Sequence, residues 1–164
     1  MKLNLGAGLK PHDGYCNVDR VPLAGINEVV DLVRDPWPWG DASIEEILCQ
    51  HFFEHIPGLQ RPRFMEQCYR VLQPGACAVF VVPYAWSNRA VMDYTHCWPP
   101  VVPESFEYFN KTWREGRGTT HGDYAMDCDF VIDHVGWTGQ AGEDRPQANK
   151  LNSIADSIVT LRKR

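Results

Sequence analysis

Two short clusters in this sequence carry residue types that could do chemistry. Near the start, Leu3-Asn4-Leu5 reaches Gly6-Ala7-Gly8, and Asp19 follows at the end of Tyr15-Cys16-Asn17-Val18. Glycines at a strand end bring no Cβ, so backbone amides can approach a ligand closely. An acid at the tip of the next parallel strand can accept both hydroxyl protons of a ribose. The pair predicts a pocket for a nucleoside-bearing cofactor. The second cluster is His51-Phe52-Phe53-Glu54-His55. It matches H-x-x-E-H, in which two helix-borne histidines hold zinc and the glutamate activates water. Its context opposes that chemistry. The segment follows a strand-like run and meets Pro57-Gly58 at once, which leaves too little chain for the required helix. A zinc site also needs a third protein ligand with its own supporting partners, and downstream the candidates considered are Glu66, Glu104, Glu107, Glu115 and Glu143. No metal is expected.

The elements that would position these residues are legible as a coarse pattern. Strands are predicted over 2–5, 15–19, 28–32, 45–50, 76–83, 126–133 and 153–162, several as short apolar runs ending in an acid or a glycine turn. Phe64, Cys68, Val71 and Leu72 recur at helical spacing, so a helix is predicted over 59–72, stopped by Pro74-Gly75. A long aromatic segment spans 84–125, with a short helix starting at Pro103, a residue suited to a first helical turn. Gly136 to Gln147 is Gly-rich and polar and reads as an exposed loop between two antiparallel strands.

The motifs in order are Leu3-Asn4-Leu5-Gly6-Ala7-Gly8, Asn17-Val18-Asp19, Asp31-Leu32, Asp35-Pro36-Trp37-Pro38-Trp39, His51-Phe52-Phe53-Glu54-His55-Ile56 and Arg70-Val71-Leu72-Gln73-Pro74-Gly75-Ala76. This order resembles the class I S-adenosylmethionine-dependent methyltransferases, specifically a small type 11-like group. The resemblance covers residues 2–83 well. It continues more loosely through Asp93-Tyr94-Thr95-His96, Pro103-Glu104-Ser105-Phe106 and the last strand. It implies a compact Rossmann-like α/β fold with a mostly parallel sheet, helices mainly on one face and an antiparallel C-terminal strand pair. A single domain over 1–164 is expected, with a cofactor half (1–83) and an acceptor half (84–164).

Length and composition agree with one domain. The chain has 164 residues, 44% of them hydrophobic, with no 18-residue apolar run and no charged-then-apolar leader, so a cytoplasmic protein without a membrane span is expected. The six cysteines form no Cys-x-x-Cys pair and read as reduced, several of them packing as small hydrophobes. A net charge of −5 disfavours a protein that grips nucleic acid by its phosphates. Lys111, Arg114 and Arg117 around Trp113 are a local exception and read first as a solvated loop.

One departure from the family pattern matters. Only Leu9 to Gly14 separates Gly8 from Tyr15, and eight residues separate Asp19 from Glu28. A parallel crossover normally takes a dozen or more residues. Both connections must therefore be tight loops, and no helix precedes the first strand in this sequence. These absent helices would share one face of the sheet, whereas parallel sheets are usually covered on both. Either the aromatic segment folds across that face, or a second copy does, giving a homodimer.

The resemblance also assigns roles. Leu5, Gly6, Ala7 and Gly8 would pass under the methionine part and ribose of S-adenosylmethionine. Asp19 would take the ribose hydroxyls, with Arg20 flanking ribose or adenine. Asp31 and the backbone of Leu32 would meet the adenine. Gln50 and His51 would face the methionine end. His96, or His51, would act as a base toward an acceptor. The reaction expected is methyl transfer to a small-molecule or carbohydrate-like acceptor. Two other classes stay open: a non-catalytic module of the same fold used for binding or assembly, and the zinc hydrolase of the H-x-x-E-H reading.

Overall fold

The computed structural model describes residues 1–117, 126–139 and 154–164. Its sheet has seven strands in the order β3-β2-β1-β4-β5-β7-β6: β1 (Lys2–Leu5), β2 (Cys16–Asp19), β3 (Glu28–Val29), β4 (Ile44–Gln50), β5 (Leu72–Pro83), β6 (Phe130–Gly139) and β7 (Ile154–Lys163). The first five pair in parallel, and β7 runs antiparallel to both β5 and β6. The chain thus enters the sheet at β1 and reverses direction across it at β4. That reversal opens a crevice at the C-terminal ends of the strands, where ligands of open α/β sheets bind.

Most predicted elements are present, with three shifts. β3 is two residues long rather than five; beyond it the backbone turns at Asp31, whose side chain accepts the amides of Val33 and Arg34. A carboxylate that bonds its own following amides competes with a ladder. β6 begins at Phe130, not 126, and runs to Gly139, so the glycine at 136 is within a strand. The remainder of the expected 136–147 loop and residue 153 of the last strand lie outside the described residues. Lys111–Gly116 forms a short helix (α3; α2 is Asn88–Met92), and its Arg114 is buried, donating to the carbonyls of Tyr108, Met126 and Cys128. That guanidinium ties the acceptor half together and is not part of a solvated loop.

Strand side chains alternate between faces. Leu3, Leu5, Val18, Ile47, Cys49, Ala78, Phe80, Val159 and Leu161 fall on one face and join a single buried cluster with Phe64, Met65, Cys68 and Val71 of α1 (Arg61–Val71). Phe53 lies at its centre, 1% exposed, against Phe64, Phe80 and Phe106 at ring-centroid distances of 5.9, 5.3 and 5.3 Å. Burial pushes the thiols of Cys49 and Cys68 well above the usual range, and that of Cys128 up to about 12.

The described part of the aromatic segment, residues 84–117, packs on the α1 side. Phe106 and Phe109, from the 3-10 turn at Pro103–Phe109, pack on the α1 side. On the other face, Leu48, Val79, Val81 and Ile158 stay outside the buried cluster and half-buried. Nearer the β1 edge an asparagine network does the work of the absent helices. Asn4 is 2% and Asn17 5% exposed. Asn4 donates to Asn17 Oδ1 and the Lys10 carbonyl; Asn17 Oδ1 also accepts the His12 amide; Asn27 Oδ1 accepts the Asn17 amide. Three side-chain amides thereby fix both tight loops and satisfy backbone groups that would otherwise be orphaned.

Phe53→Ala should empty the centre of the cluster and cost about 3–5 kcal/mol of unfolding free energy. Urea denaturation would read this as a lower midpoint; a loss well under 1 kcal/mol would show that Phe53 does not anchor the core.

Candidate cofactor and acceptor site

The C-terminal ends of β1, β2 and β4 and the turn after β3 meet around a cavity of about 520 Å³. Gly6, Gly8, Asp19, Arg20, Asp31, Leu32 and His51 line it, with Phe52, His55 and Thr95. Seven of the residues singled out from sequence are therefore gathered round one space. The other three are not in its wall. Leu5 is fully buried in the core beneath, and Ala7 is buried with its amide bonded to the Val18 carbonyl. Gln50 points to the opposite face of the sheet, where its Oε1 meets His12 Nε2 at 3.1 Å. Strand alternation explains Gln50: Cys49 takes the core face, so Gln50 cannot.

The glycine turn is shaped by two constraints. Gly6 has φ +67°, and a Cβ there would lie 2.3 Å from Cγ of Phe52. Backbone conformation and the Phe52 ring both exclude a side chain, so the pocket floor is bare backbone over an aromatic ring. Asp19 holds the turn from the other side. Its Oδ2 accepts the Gly8 amide at 2.9 Å and its Oδ1 the Val21 amide at 3.0 Å. Each oxygen keeps a further acceptor site, which suits vicinal hydroxyls. Across the cavity, the Trp37 indole donates to the Leu32 carbonyl at 3.0 Å, and Arg63 donates to the Val33 and Arg34 carbonyls. The loop that would face a planar base is thus tied to the core and to α1.

His51 ends β4 with φ +51° and its amide on the Val81 carbonyl. It is followed by a 3-10 turn at Phe53–His55. The H-x-x-E-H segment is not an α-helix, so His51 and His55 do not share a helical face, and the zinc-hydrolase arrangement expected of that pattern is not formed. The physical reason is Phe53, whose burial turns the chain inward between the two histidines.

His51 and His55 also line a second cavity of about 620 Å³, shared with Lys10, Glu54, Arg89 and His96. The two spaces therefore meet at the end of β4. His96 comes from the loop after α2, and its Nδ1 lies 3.0 Å from the Ala90 carbonyl. Asp93 beside it accepts both the amide and hydroxyl of Thr95, which hold its carboxyl below the usual range. Phe52, Glu54 and His55 were not among the residues assigned from sequence to the cofactor or the acceptor. The H-x-x-E-H pattern contained all three, but only burial could show that Phe53 points inward and its neighbours to the cavities.

Residues 17–80 match the family model described as a methyltransferase domain. A search of curated proteins finds no match. Among solved structures, a SAM-dependent methyltransferase from Archaeoglobus fulgidus is similar at 19% identity and a TM-score of 0.64, over 99% of this chain and 85% of that one. A SAM-dependent methyltransferase from Methanosarcina mazei is similar at 16% identity and 0.61, over 99% and 91%. The 1,6-didemethyltoxoflavin-N1-methyltransferase of Burkholderia thailandensis, solved with 1,6-didemethyltoxoflavin and S-adenosylhomocysteine, is similar at 10% identity and 0.63, over 99% and 70%. Strand order, glycine turn and the match over residues 17–80 agree with the fold of the S-adenosylmethionine-dependent methyltransferases to which the chain is similar.

Proposed function

We propose that the protein transfers a methyl group from S-adenosylmethionine to a small-molecule acceptor, in the class of carbohydrate-like or otherwise hydroxyl- or amine-bearing compounds. The observation that carries this reading is the shared boundary of the two cavities at His51 and His55. One space offers a bare glycine turn and a carboxylate, the other a set of titratable side chains. The residues fit the cofactor: a Cβ at Gly8 would stand in open space beside the cavity, and Asp19 retains acceptor sites toward it. Asp19 would hold the ribose, Asp31 and Leu32 the adenine, and the Gly6–Gly8 backbone the methionine portion. When bound, the sulfonium supplies an electrophilic methyl group. The protein's own task is then to align the nucleophile and exclude water, worth up to about 7–11 kcal/mol in well-oriented reactions. His96, fixed through Nδ1, has its other nitrogen available to take a proton from the acceptor. A small-molecule acceptor is favoured by the net charge of −5, and 1,6-didemethyltoxoflavin is bound by the Burkholderia thailandensis protein. No helix among the described residues is long and apolar enough to cross a membrane. We place the activity in the cytoplasm.

We infer also that a second copy of the chain packs on the half-buried Leu48/Val79/Val81/Ile158 face, because a mostly parallel sheet is seldom left open on one side. The protein should then sediment as a dimer, and Val79→Glu should yield monomers that keep cofactor affinity. A wild-type monomer at tens of micromolar would dismiss this interface.

Calorimetric titration with S-adenosylhomocysteine tests the cofactor site. Asp19→Ala should weaken binding more than tenfold by removing both the ribose acceptor and the anchor of the glycine turn; unchanged affinity would sink the assignment. Gly6→Ala should abolish detectable binding, since the new Cβ collides with Phe52. Acceptor classes can then be screened by following S-adenosylhomocysteine release.

A further inference from the structure

Glu54 is the least expected group in the molecule. It is 5% exposed, and neither carboxylate oxygen has a hydrogen-bond partner. Its nearest charged contact is His51 Nδ1, 3.5 Å from Oε1. A buried carboxylate without partners costs several kcal/mol unless a cation or proton neutralises it. The neighbouring Arg61 does not do so; its donors go to the carbonyls of Ile56, Cys97 and Pro99.

Two imidazoles flank this carboxylate. One ligand atom from each of Glu54, His55 and His96 lies within 4.8 Å of the others, and the two rings stand 4.8 Å apart at 72°. Their tautomers follow from their partners. Thr95 donates its only hydroxyl proton to Asp93 Oδ1 at 2.6 Å, so its oxygen, 3.1 Å from His55 Nδ1, accepts from that nitrogen. The Ala90 carbonyl can only accept, so His96 Nδ1 carries a proton too. In the neutral rings the lone pairs therefore lie on Nε2. His96 Nε2 faces the Asp93 carboxylate at 3.7 Å, so a cation between them would have a donor on each side. Imidazoles fixed through Nδ1 by an oxygen acceptor, with Nε2 free, are the usual outer support of metal-ligating histidines.

We propose that Glu54, His55 and His96 bind a divalent transition metal of the zinc class, with Asp93 available as a fourth ligand. Two imidazoles and a carboxylate select Zn²⁺ or its neighbours over the all-oxygen preferences of Mg²⁺ and Ca²⁺. Metal–ligand distances of about 2.0–2.2 Å would draw the three groups closer by side-chain rotation alone. This differs from the H-x-x-E-H arrangement: His51 is not a ligand, Glu54 is one rather than a base, and the third ligand comes from the loop after α2. The site opens on the second cavity. If the methyl-transfer reading holds, a metal there would take an oxygen or nitrogen of the acceptor and favour its deprotonation, and His96 would then serve as a metal ligand in place of the base role given above.

The test titrates ZnCl₂ and CoCl₂ into chelator-treated full-length protein, with S-adenosylhomocysteine affinity measured in parallel. One equivalent should bind with micromolar or tighter affinity, and Co²⁺ should develop a d–d absorption without a thiolate charge-transfer band, which excludes Cys97 as the ligand. Glu54→Gln and His96→Ala should each weaken metal binding at least tenfold, while His134→Ala, on exposed β6, should not. Cofactor affinity at the wild-type level in the variants shows that they fold. Absence of saturable metal binding, or variants that bind as tightly as wild type, overturns the proposal. Metal binding without cofactor binding would instead leave it standing and overturn the methyl-transfer reading.

Discussion

The burial of Phe53 is the interaction on which the site depends. Its ring is held among Phe64, Phe80 and Phe106, which fixes the path of the chain as it leaves β4. Because Phe53 turns inward, its neighbours are distributed by local geometry. Phe52 is laid under Gly6, His51 reaches the boundary between the cavities, and Glu54 and His55 face the acceptor side. One core contact therefore shapes the floor of the first cavity and the wall of the second together. A shift of the 3-10 turn would disturb both at once.

The second theme is economy of cover. Ordinary parallel sheets bury both faces under crossover helices. Here the first two connections are loops, held by Asn4, Asn17 and Asn27 rather than by helical packing. No helix N-terminus follows the glycine turn, so no helix dipole reaches a ligand there. The Asp19 carboxylate takes over the organising part, gripping the Gly8 amide directly. A cofactor without phosphates suits that arrangement, because the electrostatic pull of a helix end is not required.

The two cavities differ in character. Backbone, an aromatic ring and one well-oriented carboxylate form the wall of the first. The second concentrates titratable groups with unequal partners: Asp93 is well supplied with donors, whereas the Glu54 carboxylate has none. That asymmetry is what an incoming cation or substrate would complete.

Some of this is written along the chain. Alternating apolar runs and the glycine turn with Asp19 are local signals, each generated by residues close in sequence, whereas Pro74-Gly75, expected to stop the helix, lie inside β5 and the helix ends at Val71. The local signals suffice for the succession of most elements along the chain and for most of the residues that line the first cavity. The shortness of the loops after β1 and β2 is also a matter of counting, and it correctly removes two helices. Other features arise from contacts between distant segments. Gln50 turns away from the pocket because its neighbour Cys49 occupies the core face. Asp31 ends β3 early by bonding its own following amides. Glu54, His55 and His96 come together only because β4 and the loop after α2 converge over the same strand ends. A sequence pattern can propose two histidines and a glutamate; which of them share a space is decided by the direction in which Phe53 is buried.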